Sequence, residues 1–325
     1  MQDYKSSWSS GTRLVVVTVV LAVLISAFGV YKVRKKRLPP SFEKATASKL
    51  TTSGNVVAAA LSADAQVIAY VTKEATRQAV FLKPVTTSNN SVELVGPTEA
   101  NYHGLTFSPD ARFIYFVRST QGVSGSVFRL PLTGGSAVEL LHGANSTVCL
   151  SPDGQLLAFL RAVAEQKETA LVIGRADGTG ERKLAVLKEA ESFVVNGGPS
   201  WSPDGKLIAT AVAHDNNSQN VVVVSATDGS LTSLGNTRFR QVGRVAWLAD
   251  GKSLLVTARD QESSSLQVWQ LTYPAGEARQ LTHDASEYQQ LSLSKDSRQL
   301  VALQTARDND TGDVVLLNGN ANVKQ

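Results

Sequence analysis

One short motif recurs six times along this chain, and its period constrains the fold more than any other feature. Each copy reads large apolar residue, Ser or a substitute, any residue, Asp, and then a β-prone run, with Gly commonly after the Asp. The copies are Leu61-Ser62-Ala63-Asp64, Phe107-Ser108-Pro109-Asp110, Leu150-Ser151-Pro152-Asp153, Trp201-Ser202-Pro203-Asp204, Trp247-Leu248-Ala249-Asp250 and Leu293-Ser294-Lys295-Asp296. Their aspartates are spaced 46, 43, 51, 46 and 46 residues apart. A period in the forties with several short strands per unit is the pattern of β-propeller blades.

The motif has a local cause. In Ser-Pro-Asp-Gly, proline presets φ at the second turn position, aspartate suits the third, and glycine accepts the positive φ that closes a hairpin. Asp64, Asp110, Asp153, Asp204, Asp250 and Asp296 are therefore assigned to turn structure and not to ion binding. The apolar residue before the serine ends an innermost strand and packs between neighbours. Runs such as Leu156–Leu160 and Leu207–Ala211 are almost continuously apolar, as strands buried on both faces are. The expected fold is all-β, a six-bladed propeller. The sixth repeat stops after its third strand, so Ser48-Lys49-Leu50-Thr51-Thr52 is expected to complete the last blade and close the ring, which removes an open sheet edge.

The N-terminal part is of a different kind. Residues 14–31 carry no charge, and as a helix they would span about 27 Å, close to a bilayer core. The expected organisation is a short tail over 1–13, a transmembrane signal anchor over 14–31, a basic juxtamembrane segment and linker over 32–47, and the propeller over 48–325. The net charge of +4 divides into +6 for residues 1–48 and −2 for the remainder. The folded part thus lacks the positive surface that phosphate neutralisation requires, and no nucleic-acid partner is expected. The basic run after residue 31 would place the propeller on the cytoplasmic side by the positive-inside rule.

These repeats resemble the WD40-like PD40 repeats of the TolB propeller over about residues 48–325. A closer likeness is to membrane-tethered PD40 propellers of acidobacterial type. It rests on Tyr102-His103-Gly104-Leu105-Thr106-Phe107-Ser108-Pro109-Asp110, on Pro199-Ser200-Trp201-Ser202-Pro203-Asp204-Gly205 and on Thr272-Tyr273-Pro274-Ala275-Gly276-Glu277. There the propeller follows a transmembrane helix, often with a cytoplasmic kinase or winged-helix domain before it. The resemblance implies a single-pass membrane protein with an extracytoplasmic, periplasmic propeller, against the charge count. It leaves the kinase, the winged helix and the extra N-terminal domain of TolB without a counterpart here.

Catalytic motifs are missing. No Gly-x-Ser-x-Gly nucleophile elbow of the propeller-bearing prolyl oligopeptidases is present, nor a Walker phosphate loop. His103, His142, His214 and His283 are scattered singly, whereas a zinc site needs three or four converging ligands. Cys149 is the only cysteine, so it has no internal disulfide partner, and its apolar neighbours mark it as a packed thiol. The chain is expected to be no enzyme and to need no cofactor or metal.

The candidate site is a surface. Loops leading into the innermost strands carry Tyr102, His103, Asn145, Phe193, Phe239, Arg240 and Tyr288. Loops between second and third strands carry Arg118, Arg161, His214, Arg259 and Arg307. Together these place bases and aromatics on one face, suited to a peptide or anionic ligand. The expected function is non-catalytic protein–protein interaction or ligand sensing at the cell envelope. The alternatives are the sensory half of a split kinase or regulator system, and an envelope enzyme using the propeller channel.

Overall fold

The computed structural model describes residues 41–86, 90–120, 123–307 and 309–320, which fall within one unit, Pro40–Asn320. Apart from one short 3-10 turn, Ala164–Gln166, the regular elements are strands.

The repeated turn forms as its chemistry requires. In five copies the serine hydroxyl donates to the aspartate carboxylate, at 2.6 Å for Ser62, Ser108 and Ser202, 2.5 Å for Ser151 and 2.8 Å for Ser294. The same oxygen accepts the amide that opens the next strand, Val67, Phe113, Leu156, Leu207 or Gln299. One buried hydroxyl thus pins both ends of the hairpin. In the fifth copy Leu248 replaces serine, and Asp250 alone accepts the Lys252 and Ser253 amides. The Ser108 hydroxyl, followed by the Arg112 side chain, holds the Asp110 carboxyl down at about 2. The residue closing the turn has positive φ in all six copies: Ala65, Ala111, Gly154, Gly205, Gly251 and Ser297.

Hydrogen bonding corrects the expectation of six blades. The strands form five sheets. Four are discrete blades. Three of these have four strands, running Asn101–Phe107 to Val138–Ala144, Cys149–Leu150 to Arg182–Lys188, and Gln241–Trp247 to Ala278–Gln280. The fourth has five, because both Glu191–Phe193 and Ser200–Trp201 pair with Leu207–His214. The strands of the first and sixth repeats are not separate blades but one eight-stranded sheet, joined where Val56 pairs with Gly312. Motif counting cannot see that junction, because backbone groups make it at the sheet edges. On the side of Gly312–Asn320 away from Gln299–Thr305, the main partner strand is Ser41–Lys49. It begins seven residues earlier than the expected 48–52 and occupies what read as linker.

The core lies between sheets. Each of six buried clusters is shared by two successive repeats. Ala58, Ala69 and Val80 pack with Leu105, Phe107 and Phe116, for example. The last cluster joins Val301, Leu303 and Val314 to Val56, Ile68 and Tyr70. Polar hooks cross the same seams. Gln78 accepts the Tyr102 amide at 2.9 Å, Thr169 that of Phe193 at 2.8 Å, and Gln219 that of Val242 at 2.7 Å. Each satisfies a backbone donor that the next sheet cannot pair internally.

The expected membrane helix is also corrected. Among the described residues no helix is long and apolar enough to cross a membrane, and residues 14–31 lie outside the described residues. The hydropathy of a run states what a helix could do in lipid, not that a helix forms. The single-pass, periplasmic placement, drawn from that run and from the resemblance, finds no spanning helix among the described residues to carry it.

Candidate functional site: the central cavity

The innermost strands line a central cavity of about 490 Å³. Its lining is layered by the repeat. At its mouth stand the residues just after the motif serine or its substitute: Ala63, Pro109, Pro152, Pro203, Ala249 and Lys295. One layer in, just before the apolar anchor, come Thr106, Cys149, Ser200, Ala246 and Ser292. Three residues before the anchor the equivalent positions are Ala58, Gly104, Thr147, Gly198, Arg244 and Gln290. Arg244, Thr147 and Gln290 form the floor.

Local strand geometry aims this floor layer inward. In four innermost strands the register slips by one residue at this level, between Val56 and Ala58, Tyr102 and Leu105, Val242 and Val245, and Tyr288 and Leu291. Such bulges bend a strand and re-aim its side chains. The Arg244 amide at the bulge is satisfied by Thr257 Oγ1 at 2.8 Å. The guanidinium then crosses the channel. Nε and Nη2 donate to Gln290 Oε1 at 3.1 and 2.8 Å, Nη2 to the His103 carbonyl at 3.4 Å, and Nη1 to Thr147 Oγ1. Space for it comes from two glycines. A Cβ on Gly198 would lie 2.9 Å from Nη1, and one on Gly104 2.6 Å from Nη2 and closer still to Thr147.

Every one of these acceptors is neutral. Among the described residues no Asp or Glu pairs with Arg244, and burial pulls its pKa down to about 10. It stays protonated at neutral pH, surrounded by protein yet facing the cavity. Burial pushes the Cys149 thiol up. It is half-buried, packed against the core between the third and fourth repeats and contributing to the cavity wall. Ser200 and Ser292 accept the Trp247 and Leu61 amides at 3.2 and 2.9 Å, which leaves each O–H as a donor.

The surface residues read from the sequence sit at the other ends of the innermost strands. Gln241 pairs with Arg259 and Glu191 with His214, so leading loops and second-to-third-strand loops do share an edge. Most of these side chains have structural partners. Tyr102, Phe193, Phe239 and Tyr288 are buried. Tyr102 packs on Phe116, Phe239 meets Trp269 edge-on, and Tyr288 donates to Asp284 at 2.7 Å. Arg118 lies over the Phe128 ring. Arg161 pairs with Glu181 and Arg259 with Glu287, both at 2.6 Å. His214 bridges Glu191 and Asn220, and Asn145 accepts the Ala162 amide. His103 and Arg240 are exposed, as is Arg307 near His283 and Asp284. Partial burial, then the Arg244 charge, lowers the His103 pKa. Asp64, Asp110, Asp153, Asp204, Asp250 and Asp296 are all in turns. Among the described residues no three His, Cys, Asp or Glu gather to hold a metal.

Arg244 itself escaped the sequence reading. Its signal was present: it is the one charged residue in a layer otherwise made of Ala, Gly, Thr and Gln.

Comparison with known proteins places the fold. No family model matches the chain. Over 157 residues it is 24% identical to dipeptidyl-peptidase 5 of Porphyromonas gingivalis, a match that takes in 45% of this chain and 22% of that protein. The chain therefore spans about a fifth of that relative's length. The crystal structure of TolB from Acinetobacter baumannii superposes with a TM-score of 0.60, covering 80% of this chain and 65% of that one at 17% identity. A puromycin hydrolase mutant superposes at 0.54 over 74% of this chain and 40% of its own, at 17% identity. The fold is that of a TolB-like β-propeller. The same architecture is found in an oligogalacturonate lyase, so enzymes stand among the proteins that share this fold. They overturn the expectation of a non-enzyme: missing linear motifs do not remove this chain from a set that includes catalysts.

Proposed function

We propose that this propeller is a recognition module that takes part of a peptide or protein ligand into its central cavity. The observation that carries this reading is the cavity itself. Every motif copy contributes to its wall, it opens at the ring of turn residues, and its volume falls within the roughly 300–1,000 Å³ of small-ligand sites. Apolar Ala and Pro at the mouth, hydroxyls along the wall and one cation at the floor are the mixture that orients a bound group. The exposed His103 and Arg240 on the opposite face would serve a protein partner.

Filling the mouth tests this. Ala249 is exposed there, and Ala249→Trp would obstruct the opening while leaving the turn's backbone bonds in place. Peptides selected from a display library on the full-length protein should lose binding to Ala249→Trp. Equal binding to both proteins would place their site elsewhere and remove the cavity from the function.

A second reading is favoured by the match to a dipeptidyl-peptidase: the propeller meets peptides on behalf of a peptide-cleaving activity. Incubating the full-length chain with unblocked peptides and following release of dipeptides by mass spectrometry decides it. Intact peptides after prolonged incubation count against cleavage by this chain.

A further inference from the structure

We propose that Arg244 makes the cavity floor a receptor for a single carboxylate, an inference that rests on the cavity being the ligand site. A guanidinium held among neutral acceptors in low-dielectric surroundings keeps an uncompensated charge. Such a charge is costly unless an anion or solvent meets it. Here the charge faces an open cavity. Its fork is braced by Gln290 and Thr147, and its space is cleared by Gly104 and Gly198. Bracing by neutral partners reduces the freedom that an arginine otherwise loses on binding.

The charge count selects the ligand class. One cation at the floor matches one negative charge. Nε, Nη2 and one hydrogen of Nη1 are held by protein oxygens, which leaves one charged Nη1–H for a single carboxylate oxygen. A dianionic phosphate would bring an excess negative charge against walls of Leu291, Trp201 and Val245. The O–H groups of Ser200 and Ser292 belong to the layer directly above and supply neutral donors. Lys295, exposed at the rim, adds attraction along the way in without contacting the bound group. The carboxylate could belong to the C-terminus of a peptide or to a small organic acid. Both present the same chemistry to Arg244.

Binding is read directly by isothermal titration calorimetry on the full-length protein, because burial leaves Cys149 with too little thiolate to serve as a chemical reporter. N-acetylated tripeptides with a free C-terminus, the same peptides amidated, and the monoanion propionate are titrated. Binding of the free tripeptides alone supports the proposal and names a peptide end as ligand. Binding of propionate alone supports it and names a small acid. Either should weaken at least about tenfold in Arg244→Gln and persist in part in Arg244→Lys, which keeps charge without the fork. Thermal melting of both variants separates lost binding from lost folding. The proposal is overturned if no carboxylate binds at up to about 10 mM, a concentration that would reveal even millimolar binding. It is also overturned if binding survives Arg244→Gln unchanged. Peptide selection that fails on Ala249→Trp yet succeeds on Arg244→Gln would leave the cavity as the ligand site and remove only the carboxylate assignment.

Discussion

The turn ring and the floor layer lie a few residues apart on the same strands, yet they obey opposite rules. In the turns, repetition is nearly complete. Five of six copies use a serine hydroxyl to pin the hairpin, and Asp250 compensates in the sixth case. In the floor layer repetition is broken on purpose of space: glycines at 104 and 198 yield to one arginine that reaches into three other repeats. What repeats serves each hairpin by itself. What departs from the repeat serves the molecule once, at its axis, where a single side chain suffices.

That contrast can be broken by experiment. The largest effect is expected at the floor. Gly104→Val puts a Cβ 1.8 Å from Thr147 Cγ2 at a φ of +139°. Overpacking together with backbone strain should cost about 3 kcal/mol in urea unfolding. A cost below that of a turn mutation would mean that the floor is loosely built and the contrast overstated. Next comes the repeated turn. Ser151→Ala removes the acceptor of the half-buried Leu156 amide and the donor to Asp153, which should cost about 1–2 kcal/mol. The same denaturation curve on Asp250→Ala, in the copy without serine, shows whether one side chain alone carries that turn. The smallest effect has the opposite sign. Ala111 closes its turn at a φ of +54°, and Ala111→Gly should stabilise by up to about 1 kcal/mol, because glycine adopts that conformation without the Cβ penalty. A loss of stability there would show that the turn prefers a stiffer unfolded chain over a relaxed fold.

Arg161 and Arg259 show why the candidate surface was only partly legible. Both read as free bases on loops, but each is paired with a glutamate at 2.6 Å, Glu181 and Glu287. Glu181 is 20 residues from its arginine and Glu287 is 28, beyond the reach of loop-by-loop reading. Tyr102 and Tyr288 likewise read as aromatics at a mouth, while the packing of adjacent sheets buries them. Arg244 was overlooked for the converse reason. It lies inside an apolar strand, where a charge reads as an exposed face until the repeats are superposed.

What the sequence alone determined is the hairpin, its turn and the all-β repeat, because each depends on residues within a few positions of one another. The serine, the aspartate and the positive-φ residue meet whatever the rest of the chain does. The tertiary structure alone decided how those hairpins join and what they enclose. The first and sixth repeats fuse through a backbone pair, Val56 with Gly312. The floor brings together Thr147 and Arg244, 97 residues apart. Both contacts exist only once the ring has closed, because it is closure that carries distant repeats to a common axis.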